Sequence, residues 1–330
     1  MSEDIIEVQN LVRKFGEVVA VDNVSFTVKR GEIFGFLGPN GAGKTTTINV
    51  LCTLLKPTSG GATVNGYDAT YQQDEVRRSI GLVFQDPSLD EHLTAQENLD
   101  FHATLYNVPS EERGKRIEEV LGMVELYDRR NDQVETFSGG MKRRLEIARG
   151  LMHYPRVLFL DEPTLGLDPQ TRRRIWDYIL ELRDREDITI FMTTHYMDEA
   201  EHADRIAIID YGRIIALDTP EALKRMVGGD IITVRTSDNG QAAVQIRERY
   251  GVEVRQKDET LFFEVEDGES FIPEFITNSA VNIAAISLRR PTLDDVFLKL
   301  TGREIRERQL SEGDKLRQHL RTRRRFHRGH

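Results

Sequence analysis

Residues 33–51, IFGFLGPNGAGKTTTINVL, decide the fold of this chain. An apolar run of strand type leads into a glycine-rich loop, and a helix is predicted over residues 43–55. The loop fits the pattern Gly-x-x-x-x-Gly-Lys-Thr, with Gly38, Pro39, Asn40, Gly41, Ala42, Gly43, Lys44 and Thr45 in order. Glycines let the backbone wrap around an anion, and the helix start adds positive charge. The stretch therefore predicts a phosphate-binding loop.

Two side chains of this loop carry chemistry beyond the backbone. Lys44 supplies a positive charge to the outer phosphates, and Thr45 offers a hydroxyl to a magnesium ion. The competing interpretation is a glycine-rich turn with an exposed lysine, which the strand–loop–helix setting disfavours. A dinucleotide site is excluded, because residues 41–46 do not read Gly-x-Gly-x-x-Gly.

Elements on both sides of the loop predict an α/β fold. Short strands occupy residues 5–37, helical spacing fills about 88–153, and apolar strands then alternate with helices to about residue 225. Such alternation is typical of a parallel sheet covered on both faces. We expect a P-loop NTPase core with a parallel sheet, an N-terminal antiparallel β lobe and an inserted helical lobe, together forming a nucleotide-binding domain over residues 1–226.

A second domain is predicted over residues 230–302, after the boundary sequence Val227-Gly228-Gly229-Asp230. Its pattern, βαββαβ plus one helix, favours a small α+β, ferredoxin-like domain with an accessory or regulatory role. Residues 303–330 hold ten Lys or Arg and four acidic residues, which predicts a solvated, disordered basic tail. A contact of this tail with anionic lipid is the less favoured interpretation.

Candidate catalytic residues lie where apolar strands end. Asp161 and Glu162 follow the apolar run 157–160, at the edge where an α/β sheet binds ligands. Asp161 suits magnesium and Glu162 suits water, although solvated acids ending a strand are the plain alternative. His195 can bond a terminal phosphate oxygen or simply cap the next helix. Gln85 can sense the metal or its water.

Composition bounds the remaining possibilities. The 330 residues have a net charge of −10, a mean hydropathy of −0.45 and one cysteine, Cys52. The acidic body argues against general nucleic-acid binding, and the single cysteine excludes an internal disulfide. The first ten residues predict no secretory signal, and no run is long enough to cross a bilayer. A reducing, cytoplasmic compartment is expected.

A further segment, Ser138-Gly139-Gly140, precedes a basic amphipathic helix and is a second candidate anion site. Taken in order with the phosphate loop, Gln85, Asp161-Glu162, the Gly166-Leu167-Asp168 loop and His195, it makes residues 4–225 resemble the ATP-binding subunits of ABC transporters. Met141 and Phe15 replace the more common glutamine and tyrosine of that family.

The resemblance implies a head-to-tail homodimer with two ATP molecules, each held between one chain's phosphate loop and the other chain's Ser138-Gly139-Gly140. It implies adenine stacking on Phe15, Asp168 in the loop after the acids, and a separate integral membrane permease at the cytoplasmic face of the membrane. The implied ATP contacts are Phe15, Gly38, Pro39, Asn40, Gly41, Ala42, Gly43, Lys44, Thr45 and Thr46. The implied Mg²⁺ ligands are Thr45, Gln85 and Asp161, and the implied catalytic groups are Lys44, Gln85, Glu162 and His195.

The stretch at residues 288–302, LRRPTLDDVFLKLTG, resembles the ending of the daunorubicin-resistance type of exporter ATPase. It predicts a helix with Thr292 as its cap and one apolar face, which packs either on its own domain or on a partner. The expected function is an ATP-hydrolysing subunit of an ABC exporter. The alternatives are a soluble ABC ATPase acting on nucleic acid or ribosomes, a nucleotide-binding regulator without turnover, and an importer subunit.

Overall fold

The computed structural model describes residues 3–85, 88–186, 188–257 and 259–302, with the backbone alone at residue 257. The predicted basic tail, 303–330, and its lipid contact lie outside these residues. Within the described part, no helix is long and apolar enough to span a membrane.

The strands, in chain order, are β1 (Asp4–Phe15), β2 (Val18–Lys29), β3 (Ile33–Leu37), β4 (Ser59–Val64), β5 (Tyr67–Asp68), β6 (Ile80–Val83), β7 (Val157–Asp161), β8 (Thr189–Thr194), β9 (Arg205–Asp210), β10 (Arg213–Asp218), β11 (Asp230–Thr236), β12 (Arg255–Lys257), β13 (Thr260–Val265) and β14 (Ile283–Arg289). The α-helices are α1 (Lys44–Leu51), α2 (Gln73–Ser79), α3 (Ala95–Leu105), α4 (Ser110–Met123), α5 (Gly139–Gly150), α6 (Pro169–Glu186), α7 (Met197–Ala200), α8 (Pro220–Arg225), α9 (Asn239–Tyr250), α10 (Gly268–Asn278) and α11 (Leu293–Thr301).

The central sheet has the order β10-β9-β3-β8-β7-β6 and is parallel except for the edge pair of β9 and β10. Every residue of β3, β7 and β8 is buried, because both faces of the sheet are covered. One face carries Phe34 and Phe191 toward the N-terminal lobe, and the opposite face carries Ile33 and Ile190 toward the helical lobe. The predicted α/β core is confirmed.

The N-terminal lobe is the predicted antiparallel sheet, in the order β2-β1-β4-β5. Phe26 of this sheet stacks on Phe34 with ring centroids 5.3 Å apart, and so joins the lobe to the central sheet. The sequence pattern predicts two strands, at residues 18–21 and 24–28, where the structure has the single strand β2. The predicted helix 43–55 is shorter, because α1 ends at Leu51 and Thr53 takes a left-handed conformation with φ +64°.

The segment 230–302 contains a four-stranded antiparallel sheet in the order β12-β13-β11-β14, with α9 and α10 in the connections. This is the predicted βαββαβ arrangement, with its own apolar cluster around Phe263 and Phe275. The second strand, predicted over residues 252–256, begins at Arg255 instead. The division into domains at residues 227–230 stays a prediction.

Helix α11 packs away from that cluster. Its buried residues Leu293, Val296 and Phe297 join the large cluster of the α/β core, which includes Leu223 of α8. The Lys299 ammonium donates to the carbonyl oxygens of residues 226 and 227 just beyond α8, at 2.9 and 2.8 Å. Helix α11 therefore attaches the segment 230–302 to the α/β core.

Replacing Phe297 with alanine removes a ring that is 1 % exposed and leaves a cavity. We expect the free energy of unfolding to fall by about 3–5 kcal/mol, measured by denaturant titration of the full chain. Leu298→Ala is the matched control, because Leu298 is 42 % exposed. Equal stability of the two variants would contradict this packing.

Candidate nucleotide-binding site

The phosphate loop connects β3 to α1 at the carboxyl edge of the central sheet. Gly43 has φ +110°, and a β-carbon there would lie 2.4 Å from the carbonyl oxygen of Ala20, so only glycine fits. No side chain caps the first turn of α1, and no acidic residue lies in that turn. The free end of the helix therefore suits an anion.

Lys44 lies inside this loop and is 4 % exposed. Its ammonium donates to the carbonyl oxygens of Gly38 and Pro39 at 2.8 and 3.2 Å, and Nζ is 3.2 Å from Glu162 Oε1. Burial lowers the pKa of Lys44, while the charge of Glu162 opposes that shift. The positive charge is thus held at the loop by oxygen partners, where it can meet phosphate oxygens.

Asp161 ends β7 and meets two hydroxyl groups. The Thr193 hydroxyl donates to Asp161 Oδ1, and the Thr45 hydroxyl lies 3.3 Å from the same oxygen. Burial raises the pKa of Asp161, against the effect of these hydrogen bonds. A carboxylate beside a hydroxyl is an oxygen donor set that suits Mg²⁺, and a cation there would favour the ionised carboxylate.

Glu162 has a left-handed backbone, φ +46°, which is uncommon for a non-glycine residue. Its N–H donates to the carbonyl and hydroxyl oxygens of Thr193 at 3.2 and 3.1 Å. Burial raises its pKa, but the His195 ring nitrogen 3.2 Å away and the Lys44 charge outweigh this effect, so the pKa of Glu162 lies below its ordinary value. The side chain is therefore a carboxylate at neutral pH, able to orient water.

A third acid, Glu199 on α7, is also buried and is 2 % exposed. Its two carboxyl oxygens are hydrogen-bonded to the hydroxyls of Thr164 and Thr194. Thr164 begins the loop after the two acids, and Thr194 precedes His195. Burial raises the pKa of Glu199 to about 7, although the Thr194 bond lowers it. Glu199 thus links the two loops that flank Glu162.

Ser138, Gly139 and Gly140 lie at the start of α5, where the Ser138 hydroxyl accepts the Met141 N–H at 3.3 Å. Ser138 and Gly139 are exposed. A β-carbon at position 140 would lie 2.4 Å from the Thr171 side chain, so glycine is needed for the approach of α6. Asp168 caps α6 by accepting the N–H groups of residues 170 and 171. Residues 138–140, here called the signature, therefore form one surface with the Asp168 loop.

Gln85 and Phe15 are both exposed, and the segment around Gln85 forms an edge of the site that is here called the Gln85 rim. Gln85 is exposed and follows the end of β6. The Arg143 guanidinium donates both to the carbonyl of Phe84, next to Gln85, and to that of Asp161, so this rim adjoins the acids. Phe15 is 45 % exposed, with the Arg13 guanidinium 4.5 Å from its ring centroid. Their roles toward ATP and metal stay predictions.

Several buried polar side chains of the site were not predicted from the sequence: Arg143, Glu146, Thr193 and Glu199. Arg143 and Glu146 belong to a helix that the pattern describes only as basic and amphipathic. Their i, i+3 spacing was the available signal for a pair on one helix face. Thr193 adjoins the strand-end residues already singled out, so its position was a further clue.

A phosphate loop, a buried lysine and two strand-end acids define this chain as a phosphate-loop nucleotide-binding protein. Two family models match it: "ABC transporter" over residues 21–165 and "ATP-binding protein DrrA1-3-like, C-terminal domain" over residues 219–301. The chain belongs to the ATP-binding proteins of ABC transporters, of the daunorubicin-resistance type, and it is an ATPase.

Two relatives and one solved structure support this assignment. The daunorubicin resistance ATP-binding protein DrrA3 of Streptomyces coeruleorubidus is 40 % identical over 93 % of this chain and 98 % of its own length. The linearmycin resistance ATP-binding protein LnrL of Bacillus subtilis is 37 % identical over 92 % and 100 %. The dimeric ATP-binding cassette MJ0796, solved with ADP and phosphate, is 32 % identical, with a TM-score of 0.59 over 65 % of this chain and 98 % of that one.

Replacing Lys44 with alanine removes the charged donor of the phosphate loop. We expect ATP affinity to fall about 10- to 150-fold, since charge-assisted hydrogen bonds contribute about 1.5–3 kcal/mol. Titration with a fluorescent ATP analogue measures the change. The control is Lys115→Ala, because that side chain is 83 % exposed. Unchanged affinity in Lys44→Ala would rule out the phosphate contact.

Glu199 makes stability depend on pH, because the native state keeps its proton up to about pH 7 while the unfolded chain releases it near 4.5. The native state therefore holds more protons in this range, and stability falls as pH rises through it. Relative to Glu199→Gln, we expect the protein to lose about 2 kcal/mol of unfolding free energy between pH 5 and 7. Denaturant titrations at both pH values measure it.

The control for this experiment is Glu201→Gln, which changes a surface carboxyl two residues further along. That variant should show the pH dependence of the parent protein. A pH dependence in Glu199→Gln equal to that of the parent would assign the effect to another group.

Proposed function

We propose that this chain is the ATP-hydrolysing subunit of an exporter, acting as a head-to-tail dimer on a separate membrane permease. The observation that carries the ATPase chemistry is the position of the Glu162 carboxyl group between Lys44 and His195, at 3.2 Å from each. The names of the relatives, which are resistance proteins for daunorubicin and linearmycin, support export.

The residues that would hold the nucleotide are those of the phosphate loop. The backbone of residues 38–46 and the start of α1 face the phosphates, Lys44 meets the outer phosphate oxygens, and Phe15 offers a ring to adenine. Thr45 and Asp161 would hold Mg²⁺, with Gln85 at the rim. The ion, when bound, neutralises charge on the phosphates.

Hydrolysis requires a water to attack the terminal phosphorus while the bond to the bridging oxygen breaks and ADP leaves. The Glu162 carboxylate orients this water and can accept its proton. His195 lies beside Glu162 and can donate from its other ring nitrogen to a terminal phosphate oxygen. Thr193 fixes both acids, because its hydroxyl contacts Asp161 Oδ1 and the Glu162 N–H.

The head-to-tail dimer is supported by the exposure of the signature. Ser138 and Gly139 are exposed at a helix start, on the same surface as Asp168. A helix start with exposed N–H groups attracts phosphate, and a second chain can supply that phosphate on its own loop. Each ATP would then be enclosed by two chains, so ATP itself closes the dimer.

The permease would supply the path for the cargo. Phe101 and Leu105 are one turn apart on α3 and are 61 % and 60 % exposed, in the helical lobe that adjoins the Gln85 rim. This apolar pair, with the neighbouring segment up to residue 93, is the proposed permease contact. Since ATP is supplied by the cytoplasm, the dimer would lie at the cytoplasmic face of the membrane.

Glu162→Gln tests the function. The amide keeps the shape of the side chain but cannot accept a proton, so we expect ATP binding to persist and hydrolysis to slow by a factor on the order of a hundred or more. An ATP-bound dimer should accumulate. Phosphate release and the solution mass with ATP and Mg²⁺ measure both effects.

Glu181→Gln is the matched control, because Glu181 lies exposed on α6 and pairs with Arg185. It should hydrolyse ATP at the parent rate. Normal turnover in Glu162→Gln would refute the role of Glu162, and a monomer in ATP would count against the shared site.

A further inference from the structure

The middle of the signature helix α5 carries an arginine with an acceptor for each of its five N–H groups. Arg143 Nε donates to the carbonyl of Pro163 at 2.6 Å, and Nη2 donates to the carbonyls of Asp161 and Glu162 at 3.2 and 3.3 Å. Nη1 donates to the carbonyl of Phe84 and to Glu146 at 3.1 Å. One guanidinium thus holds the end of β7 and the residue before Gln85.

Glu146, one turn further on, is fully buried. One of its oxygens pairs with Arg143, and the other accepts the Ser88 N–H at 2.8 Å. At the end of the helix, Arg149 donates to the carbonyl and hydroxyl oxygens of Ser88 at 2.7 and 2.6 Å. Phe84 and Ser88 lie on either side of Gln85, so α5 is bonded to the chain before and after that residue.

These contacts join parts of the site that the proposed dimer uses differently. The start of α5 carries Ser138, which would meet ATP on the other chain, whereas Asp161, Glu162 and Gln85 act on ATP of the same chain. Removing one partner of a buried ion pair leaves an uncompensated charge, so Arg143 and Glu146 depend on each other. A shift of α5 must then carry the Gln85 rim and the acids with it, or break buried bonds.

We propose that Arg143 and Glu146 are positioning residues. When the signature of their chain contacts ATP held by the other chain, the pair transmits that contact to Gln85 and Glu162 of their own chain. The pair acts through the backbone of residues 84, 88 and 161–163 and does not itself touch nucleotide. This proposal rests on the proposed function, since it needs an ATP shared between two chains.

The test compares Arg143→Lys and Glu146→Gln in the full-length protein. Lysine keeps the positive charge, but its three donors on one nitrogen cannot serve five separated acceptors. Glutamine keeps an oxygen for the Ser88 N–H and loses the charge toward Arg143. For both, we expect ATP affinity within about twofold of the parent and a fall in kcat of about tenfold or more.

A second measurement distinguishes a positioning role of Arg143 from a general loss of stability. In the Glu162→Gln background, ATP should slow hydrogen exchange at the Ser88 amide as the dimer closes, and adding Arg143→Lys should abolish that ATP-dependent protection. Arg144→Lys is the matched control on the same helix, because Arg144 contacts the Val124 carbonyl and the Tyr178 hydroxyl instead. It should retain parent kcat and protection.

A parent-like kcat in both variants, with parent-like Ser88 protection in the Arg143→Lys protein, would overturn the proposal. An equal loss of affinity and kcat together with a lowered melting temperature would also overturn it. The proposed function is tested separately, with the parent protein and the Glu162→Gln variant. A parent that does not hydrolyse ATP, or a Glu162→Gln chain that never dimerises, would refute that function and this inference with it.

Discussion

The contact between the Lys44 ammonium and the Glu162 carboxylate, 3.2 Å apart and nearly inaccessible to water, is the interaction on which the rest of the site depends. Buried charges are costly unless they are paired. The sheet order β3-β8-β7 supplies the pairing, because the loop after β3, the end of β8 and the end of β7 meet at one edge. Central strands buried on both faces therefore serve to bring one cation and two acids together.

Most of this edge was predictable because its residues follow a rule that local sequence reveals. Parallel strands end at the same edge of a sheet, so side chains just after apolar runs converge there. Asp161, Glu162 and His195 satisfy this rule, whereas Lys44 follows from the phosphate-loop motif. The structure brings all four together as expected. The C-terminal strand and helix order was predictable for a related reason, since turns and periodicity are short-range signals.

Buried polar partners were not predictable in the same way. Arg143 appears in the sequence as one of three consecutive basic residues, and only the approach of carbonyl groups from residues 84 and 161–163 distinguishes it from its neighbour Arg144. The packing of α11 on α8 is a similar case. The spacing of its apolar residues indicates one apolar face. Whether that face packs on the cluster of the α/β core or on the cluster around Phe263 and Phe275 depends on how the central sheet and the C-terminal sheet are placed.

Helix α5 has twelve residues and is about 18 Å long, so it spans the distance between separate functional regions as one rigid element. A ligand can shift a conformational equilibrium only through a difference in its interaction with the two states. In the proposed dimer, ATP on one chain gains contacts with Ser138 only when the chains close. The buried bonds of Arg143 and Glu146 oppose any movement of the helix that leaves Glu162 and the Gln85 rim behind. The same difference in ATP-binding free energy between the open and the closed dimer therefore favours both closure and alignment of the Glu162 carboxylate.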